Sequence, residues 1–181
     1  MVSHHSVKAM TKHAKDLAAA FLERHGLTTT LTLHFDGACE PANPGGIATG
    51  GWIVREGDQV VLSGYREFKR GDGATNNLAE WCALGCGLRA ILDNHEIASG
   101  AVLRIYGDSM LVVNQLTHKW NCNKEHLQKL RQRCEAILQE LCLASWTAEW
   151  IPREQNDEAD ALSRRAYEEA TGKTFPERVR Q

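Results

Sequence analysis

What this 181-residue chain lacks narrows its reading before any motif is considered. Its longest apolar runs fall far short of the roughly 20 residues that a spanning helix needs, so no membrane segment is expected. No apolar h-region opens the chain, so no secretory leader is expected either. The six cysteines, Cys39, Cys82, Cys86, Cys122, Cys134 and Cys142, include no C-x-x-C pair, and Cys82 and Cys86 are one helical turn apart. That pattern favours reduced, packed thiols over disulfides or zinc, and so a reducing compartment, the cytoplasm. A charge excess is missing as well. The chain has 21 Lys and Arg against 23 Asp and Glu, which argues against a general nucleic-acid binder. There is no internal repeat and no low-complexity segment.

What is present is the composition of a soluble globular protein, with 43% apolar and 24% charged residues. The length suits one domain with a sizeable core. Residues 1–27 stand apart from it. Val7, Met10, Ala14, Leu17, Phe21 and Leu22 recur at helical spacing, and Gly26 supplies a stop. This predicts an amphipathic helical extension packed on the domain or on a partner. A transit peptide and a basic arm are the alternatives, since Lys8, Lys12 and Lys15 precede any acid, although no arginine occurs before Arg24. His4, His5, His13 and His25 are too scattered there to form a metal site.

From Thr29 the pattern predicts strands at about 30–36, 49–55, 59–68, 101–107 and 146–151. Helices are predicted at about 77–93, after Asp108, at 123–143 and at 156–170. Three strands followed by alternating helices and strands (βββαβαβα) imply an α/β fold: a five-stranded mixed sheet flanked by helices. The expected domain covers residues 28–172, with a tail at 173–181.

Four acids recur at the ends or starts of these elements. Asp36 closes the first strand in LTLHFDGACEPANPGG, and Asp108 closes the fourth in AVLRIYGDS. Glu80 begins the apolar stripe Leu84, Gly87, Leu88, Ile91 of the first long helix, and Asp160 flanks the Ala159, Leu162, Ala166 stripe of the last. Each has a plain alternative. Asp36 is a turn former before glycine, and Asp108 is a helix N-cap. Asn77 and Glu80 fit a capping box, and Asp160 reads as a surface acid behind an Asn156 N-cap. Together, however, they bring one carboxylate from each of two strand ends and two helices toward the carboxyl edge of the sheet, where open α/β sheets bind ligands. Clustered carboxylates repel unless a cation neutralises them, and hard oxygen donors in that number suit Mg²⁺ or Mn²⁺. Neutralising four acids in this way would leave the remaining balance positive, so overall charge does not decide the partner.

The motifs DGACEPANPGG, TNNLAEWCAL, YGDS and N-x-x-x-D-A-L, spread over residues 29–170, resemble those of type 1 ribonuclease H. The resemblance implies the ribonuclease H-like fold and an endonuclease that hydrolyses the RNA strand of RNA–DNA hybrids, leaving 3′-hydroxyl and 5′-phosphate ends. It implies that Asp36, Glu80, Asp108 and Asp160 hold two Mg²⁺ ions, with Mn²⁺ as a substitute. It also implies hybrid contacts by Cys39, Asn43, Thr75, Asn76 and Asn77, and a monomer in which the N-terminal helix can mediate a contact. The chain departs from many members in two places. HKWNCNKEHL, residues 118–127, is short where a basic protrusion stands, and PREQ, residues 152–155, is short and lacks a histidine. Arg153 or Glu154 is the expected partial substitute, and Arg153 reads equally as a phosphate contact. Met110 replaces an amide that some members carry. NPGGIATGG lacks a P-loop lysine and precedes no helix, so it is not read as a nucleotide loop. The alternatives to an active enzyme are a non-catalytic hybrid-binding module and another nuclease of this fold.

Overall fold

A computed structural model of the chain describes Gly26 and residues 28–176. The helix predicted within residues 1–27 and the last five residues of the predicted tail lie outside the described residues. Five strands form one sheet in the order β3-β2-β1-β4-β5: β1 Thr30–Glu40, β2 Ile47–Glu56, β3 Gln59–Arg70, β4 Val102–Gly107 and β5 Ser145–Trp150. Strands β1 to β3 pair antiparallel, while β4 is parallel to β1 and β5 is parallel to β4. Parallel neighbours need crossovers, and helices supply them. These are α1 Asn76–Asp93 and the four-residue α2 His95–Ala98 before β4, then α3 Met110–Leu116 and α4 Glu125–Glu140 before β5. A 3₁₀ turn, Arg153–Gln155, leads into α5 Asp157–Thr171. No described helix is long and apolar enough to cross a membrane.

The expected mixed sheet is present. The first strand differs from expectation by running past Asp36 to Glu40. The reason lies in its two neighbours. Pairing with β4 stops at Phe35–Gly107, but pairing with β2 continues through Gly37–Gly50 to Glu40–Ile47. Asp36 is therefore where one neighbour leaves, and the turn-forming residues occupy 41–46 instead. α2 is a second difference: Asn94 breaks the long helix, its amide nitrogen donating to Ala90 O, and the chain then takes one more turn.

The main core lies between the sheet and α1, α3 and α4. Leu31, Leu33 and Phe35 of β1 meet Trp81, Leu84, Leu88 and Ile91 of α1 there, so the stripe read from the sequence is the buried face. α5 packs on the other face of the sheet. Adjacent glycines of β2 mark the two sides: a Cβ on Gly50 would press on Ala83 of α1, and one on Gly51 would lie 2.4 Å from Leu162 Cβ of α5. Such contacts leave no room for a side chain, so both helices come close to the sheet and carry their acids to one end of it.

Candidate active site

Asp36 and Asp108 sit side by side because of strand register. Phe35 pairs with Gly107, so the next residue of each parallel strand faces the same end of the sheet. Asp36 is only 4% exposed. Glu80 reaches the pair from α1, which crosses β1 at Gly37. A Cβ on Gly37 would lie 2.3 Å from the Glu80 backbone nitrogen, so only glycine lets the first turn of α1 settle there. One carboxylate oxygen from each of Asp36, Glu80 and Asp108 lies within 4.8 Å of the others.

Three carboxylates at that separation, two of them buried, are electrostatically unfavourable on their own. Burial pushes the Asp36 carboxyl up to about 6, and the charges of Asp108 and Asp160 add to it. Burial pushes Glu80 well above the usual carboxylate range, and Asp36 and Asp108 push it the same way. Glu80 Oε2 is buried with no hydrogen-bond partner. An orphaned buried oxygen on a carboxylate that clusters with two others fits a divalent cation with oxygen ligands.

Asp160 stands differently. Its Oδ1 accepts from the guanidinium of Arg153, and its Oδ2 lies 2.6 Å from Arg164 Nε. It is buried and within electrostatic reach of Asp36, but it does not contribute one of the three oxygens that cluster. Arg153, predicted to fill in for the loop histidine, thus lies against the fourth acid and within electrostatic reach of Asp36 and Asp108.

The plain alternatives for these acids resolve differently from expectation. Asp108 does not cap α3; Ser109 does, its hydroxyl accepting from Val112 N. The Asn77–Glu80 capping box, the alternative reading of Glu80, is absent. Thr75 is the N-cap of α1, its Oγ1 accepting from Leu78 N at 3.1 Å, which leaves the Glu80 side chain free to face the site.

Asn156, expected as a cap, does something else. Its side chain caps nothing. Its Nδ2 donates to Phe35 O at 2.9 Å and lies 3.3 Å from Asp108 Oδ1. It ties α5 to both strands that carry the aspartates. Trp150 has a related role, its indole Nε1 donating to Asp108 O at 3.0 Å. Sequence reasoning missed both. An asparagine at a helix start looks like a cap, and a tryptophan at a strand end looks like core.

The predicted substrate contacts form a second group beside the acids. Asn76 Oδ1 accepts from Cys39 N at 2.6 Å, and Asn43 Oδ1 accepts from Asn76 N at 3.1 Å. The turn after β1 is thereby stitched to the start of α1. Asn43 is exposed, while Thr75, Asn76 and Asn77 are half-buried. Cys39 faces inward: it is fully buried, and its thiol donates to Ala42 O at 3.2 Å. Between α3 and α4, where the protrusion is short, Trp120 is exposed and His118 pairs with Glu135.

A family model described as reverse transcriptase-like matches residues 34–166. The chain is 36% identical over 138 residues to ribonuclease HI of Halobacterium salinarum, which covers 76% of this chain and 64% of the relative. The chain therefore spans less than two thirds of that relative. The crystal structure of RNase H1 from the same archaeon superposes with a TM-score of 0.67 at 33% identity, covering 77% of this chain and 98% of that one. The N-terminal RNase H domain of Rv2228c from Mycobacterium tuberculosis superposes with a TM-score of 0.70 at 27% identity, covering 80% of this chain and 98% of that one.

Proposed function

Because this chain belongs to the reverse transcriptase-like family and carries a type 1 ribonuclease H domain, we propose that it is an endonuclease that hydrolyses the RNA strand of RNA–DNA hybrids. The observation that carries the proposal is the meeting of Asp36, Glu80 and Asp108 within 4.8 Å at the carboxyl edge of β1 and β4. Asp36, Glu80, Asp108 and Asp160 would hold two Mg²⁺ ions, with Mn²⁺ able to replace them. When bound, such ions supply an activated water and stabilise the leaving oxygen of an in-line phosphodiester displacement. The protein's share is positional. β1 fixes Asp36, α1 fixes Glu80, and Asn156 and Trp150 hold Asp108 just past the end of β4.

Substrate recognition falls to the adjacent turn. Asn43, Asn76 and Asn77 present amides that donate and accept, as needed to read 2′-hydroxyls and sugar edges. Thr75 and Arg153 contact backbone phosphates. Cys39 acts through its backbone and by bracing the turn at Ala42. The protein works as a monomer in a reducing cytoplasm, consistent with all six cysteines being free thiols.

A labelled hybrid incubated with the protein and Mg²⁺ tests this directly. RNA fragments with 5′-phosphate and 3′-hydroxyl ends are expected, with a DNA duplex left intact. Hybrid binding without cleavage in either Mg²⁺ or Mn²⁺ would instead make it a binding module. Equal cutting of duplex DNA would make it another nuclease of this fold.

A further inference from the structure

The fourth acid carries two cations of its own, and one of them is built in. Arg153 comes from the 3₁₀ turn and is part of the proposed substrate surface. Arg164 comes from α5, one turn beyond Asp160, and serves no role in the reaction described above. Its Nε sits 2.6 Å from Asp160 Oδ2. Its guanidinium also lies 5.3 Å from the centre of the Phe175 ring, a cation–π distance. Phe175 is itself anchored. It is buried, packs edge-on against Tyr167 at 5.4 Å with Ala38 beneath, and its backbone N donates to Glu168 Oε1. The segment after α5 thus folds back and places an aromatic face under the arginine. The neighbouring Arg165 points elsewhere, pairing with Glu169 at 3.0 Å and lying over Tyr65.

A guanidinium and a divalent cation compete for the same carboxylate oxygens. The three clustered acids have no such competitor, since among the described residues none of them forms an ion pair with a basic side chain. We infer that Arg164, braced by Phe175, competes with the second divalent ion for Asp160, so that the two ions bind with unequal affinity and Arg164 sets the weaker one. The inference rests on the two-cation reading of the site and adds a regulator to it. The first ion enters the Asp36–Glu80–Asp108 cluster with no ion pair to displace among the described residues. The second must draw Asp160 away from its arginines, which makes activity sensitive to divalent-ion concentration over the range of the weaker site.

The test is Mn²⁺ binding to the full chain without substrate, followed by calorimetry and by the electron paramagnetic resonance signal of free Mn²⁺. The wild type is expected to show one tighter and one weaker ion. Arg164→Ala is expected to tighten the weaker ion about three- to fivefold, the scale of a partly exposed ion pair, with a smaller effect on the tighter one. Arg164→Gln repeats the test with the volume better kept, should the alanine variant fold poorly. Arg164→Lys, which keeps the charge, is expected to stay near wild type. Phe175→Leu is expected to tighten the weaker ion about twofold, because the arginine loses its support. Arg165→Ala is the control for net charge and is expected to change neither ion. A weaker ion unmoved in both Arg164→Ala and Arg164→Gln overturns the inference, as does an equal gain in Arg165→Ala. If the tighter ion persists in Asp108→Asn, the two-cation reading itself falls, and this inference with it.

Discussion

Asp36, Glu80 and Asp108 crowd together with no basic partner among the described residues, whereas Asp160 is bonded through both oxygens to arginines. The same residue chemistry thus appears in two electrostatic states a short distance apart. The first group is unfavourable until a cation arrives. The second is already compensated. Strand register and a glycine crossing force the first group together, and folding elsewhere in the domain offsets its repulsion. One helix and one turn assemble the second. The contrast predicts that changes to the first group alter chemistry most and can raise stability, while changes to the second alter ion affinity more than catalysis.

The largest effect is expected from Asp108→Asn. It should lower the cleavage rate of a labelled hybrid by about 10³-fold or more, since the proposed chemistry depends on this ligand. Thermal stability should stay near wild type or rise, as one of three repelling charges is gone. Asp160→Asn should lower the rate by only about 10- to 100-fold, because Asp160 lies outside the tight cluster. Equal losses at the two positions would erase the distinction between the groups.

The next effect is steric. Gly37→Val places side-chain atoms where the Glu80 backbone now lies, 2.3 Å from an ideal Cβ. Overpacking against backbone should destabilise by about 2–4 kcal/mol, read as a fall in urea midpoint, with activity lost as Glu80 moves away. Arg164→Ala, on the other side of the site, should cost no more than about 1 kcal/mol.

How far the sequence foretold this division depends on the residue. The acids were legible from the pattern around them: the apolar alternation that stops at Phe35 marked Asp36, where β4 leaves β1, and the Leu84–Leu88–Ile91 stripe put Glu80 on the buried face. The mixed sheet followed from element order, three strands and then alternating helices and strands, but the strand order did not. Contacts between elements distant in sequence were not legible. Asn156 bonds to Phe35 across 121 residues, and nothing local separates that asparagine from an ordinary cap. The pairing of Asp160 with Arg153 and Arg164 was hidden in a similar way. Arg164 at helical spacing reads as one surface pair among several, and Phe175 lay in a segment expected to be a tail. The alternative capping box at Glu80 did not form because Thr75 was better placed to cap the same helix start.

A pH dependence sharpens the comparison without touching catalysis. Asp36 titrates near 6 in the folded chain against 3.8 for an ordinary aspartate. Below about 3.8 the group is protonated both folded and unfolded, and the stability linked to its bound proton is fully present. As pH rises through about 6 the folded chain must give up that proton and the stability is lost. A shift of about two units corresponds to roughly 3 kcal/mol as an upper scale. Glu80 acts in the same direction. Without divalent ions, wild type should therefore lose stability relative to Asp36→Asn between about pH 4 and 6.5, measured by urea unfolding. Saturating Mg²⁺ should remove the difference, since an ion that binds only the folded state favours the ionised carboxylates. A difference that is flat with pH would show that the cluster is not strained.

The smallest effect concerns what holds each group in place. Trp150 leaves much of its ring exposed, and its indole donates to Asp108 O. In Trp150→Phe the ring stays and the donor goes. The carbonyl it served lies near solvent, so water can replace the lost bond, and stability should fall by only about 0.5–1 kcal/mol. Asp108, however, lies just past the last residue of β4, beyond the sheet pairing that fixes Asp36. The Asn156 amide would remain its only side-chain tether among the described residues. The expected signature is a severalfold fall in kcat with KM for hybrid unchanged, and no change in the weaker Mn²⁺ affinity. Arg164→Ala should give the opposite pattern, with that affinity moved and kcat at saturating metal nearly preserved. If Trp150→Phe shifts the weaker ion instead, the indole supports both groups, and the two halves of the site are coupled through the Asp108 backbone rather than built separately.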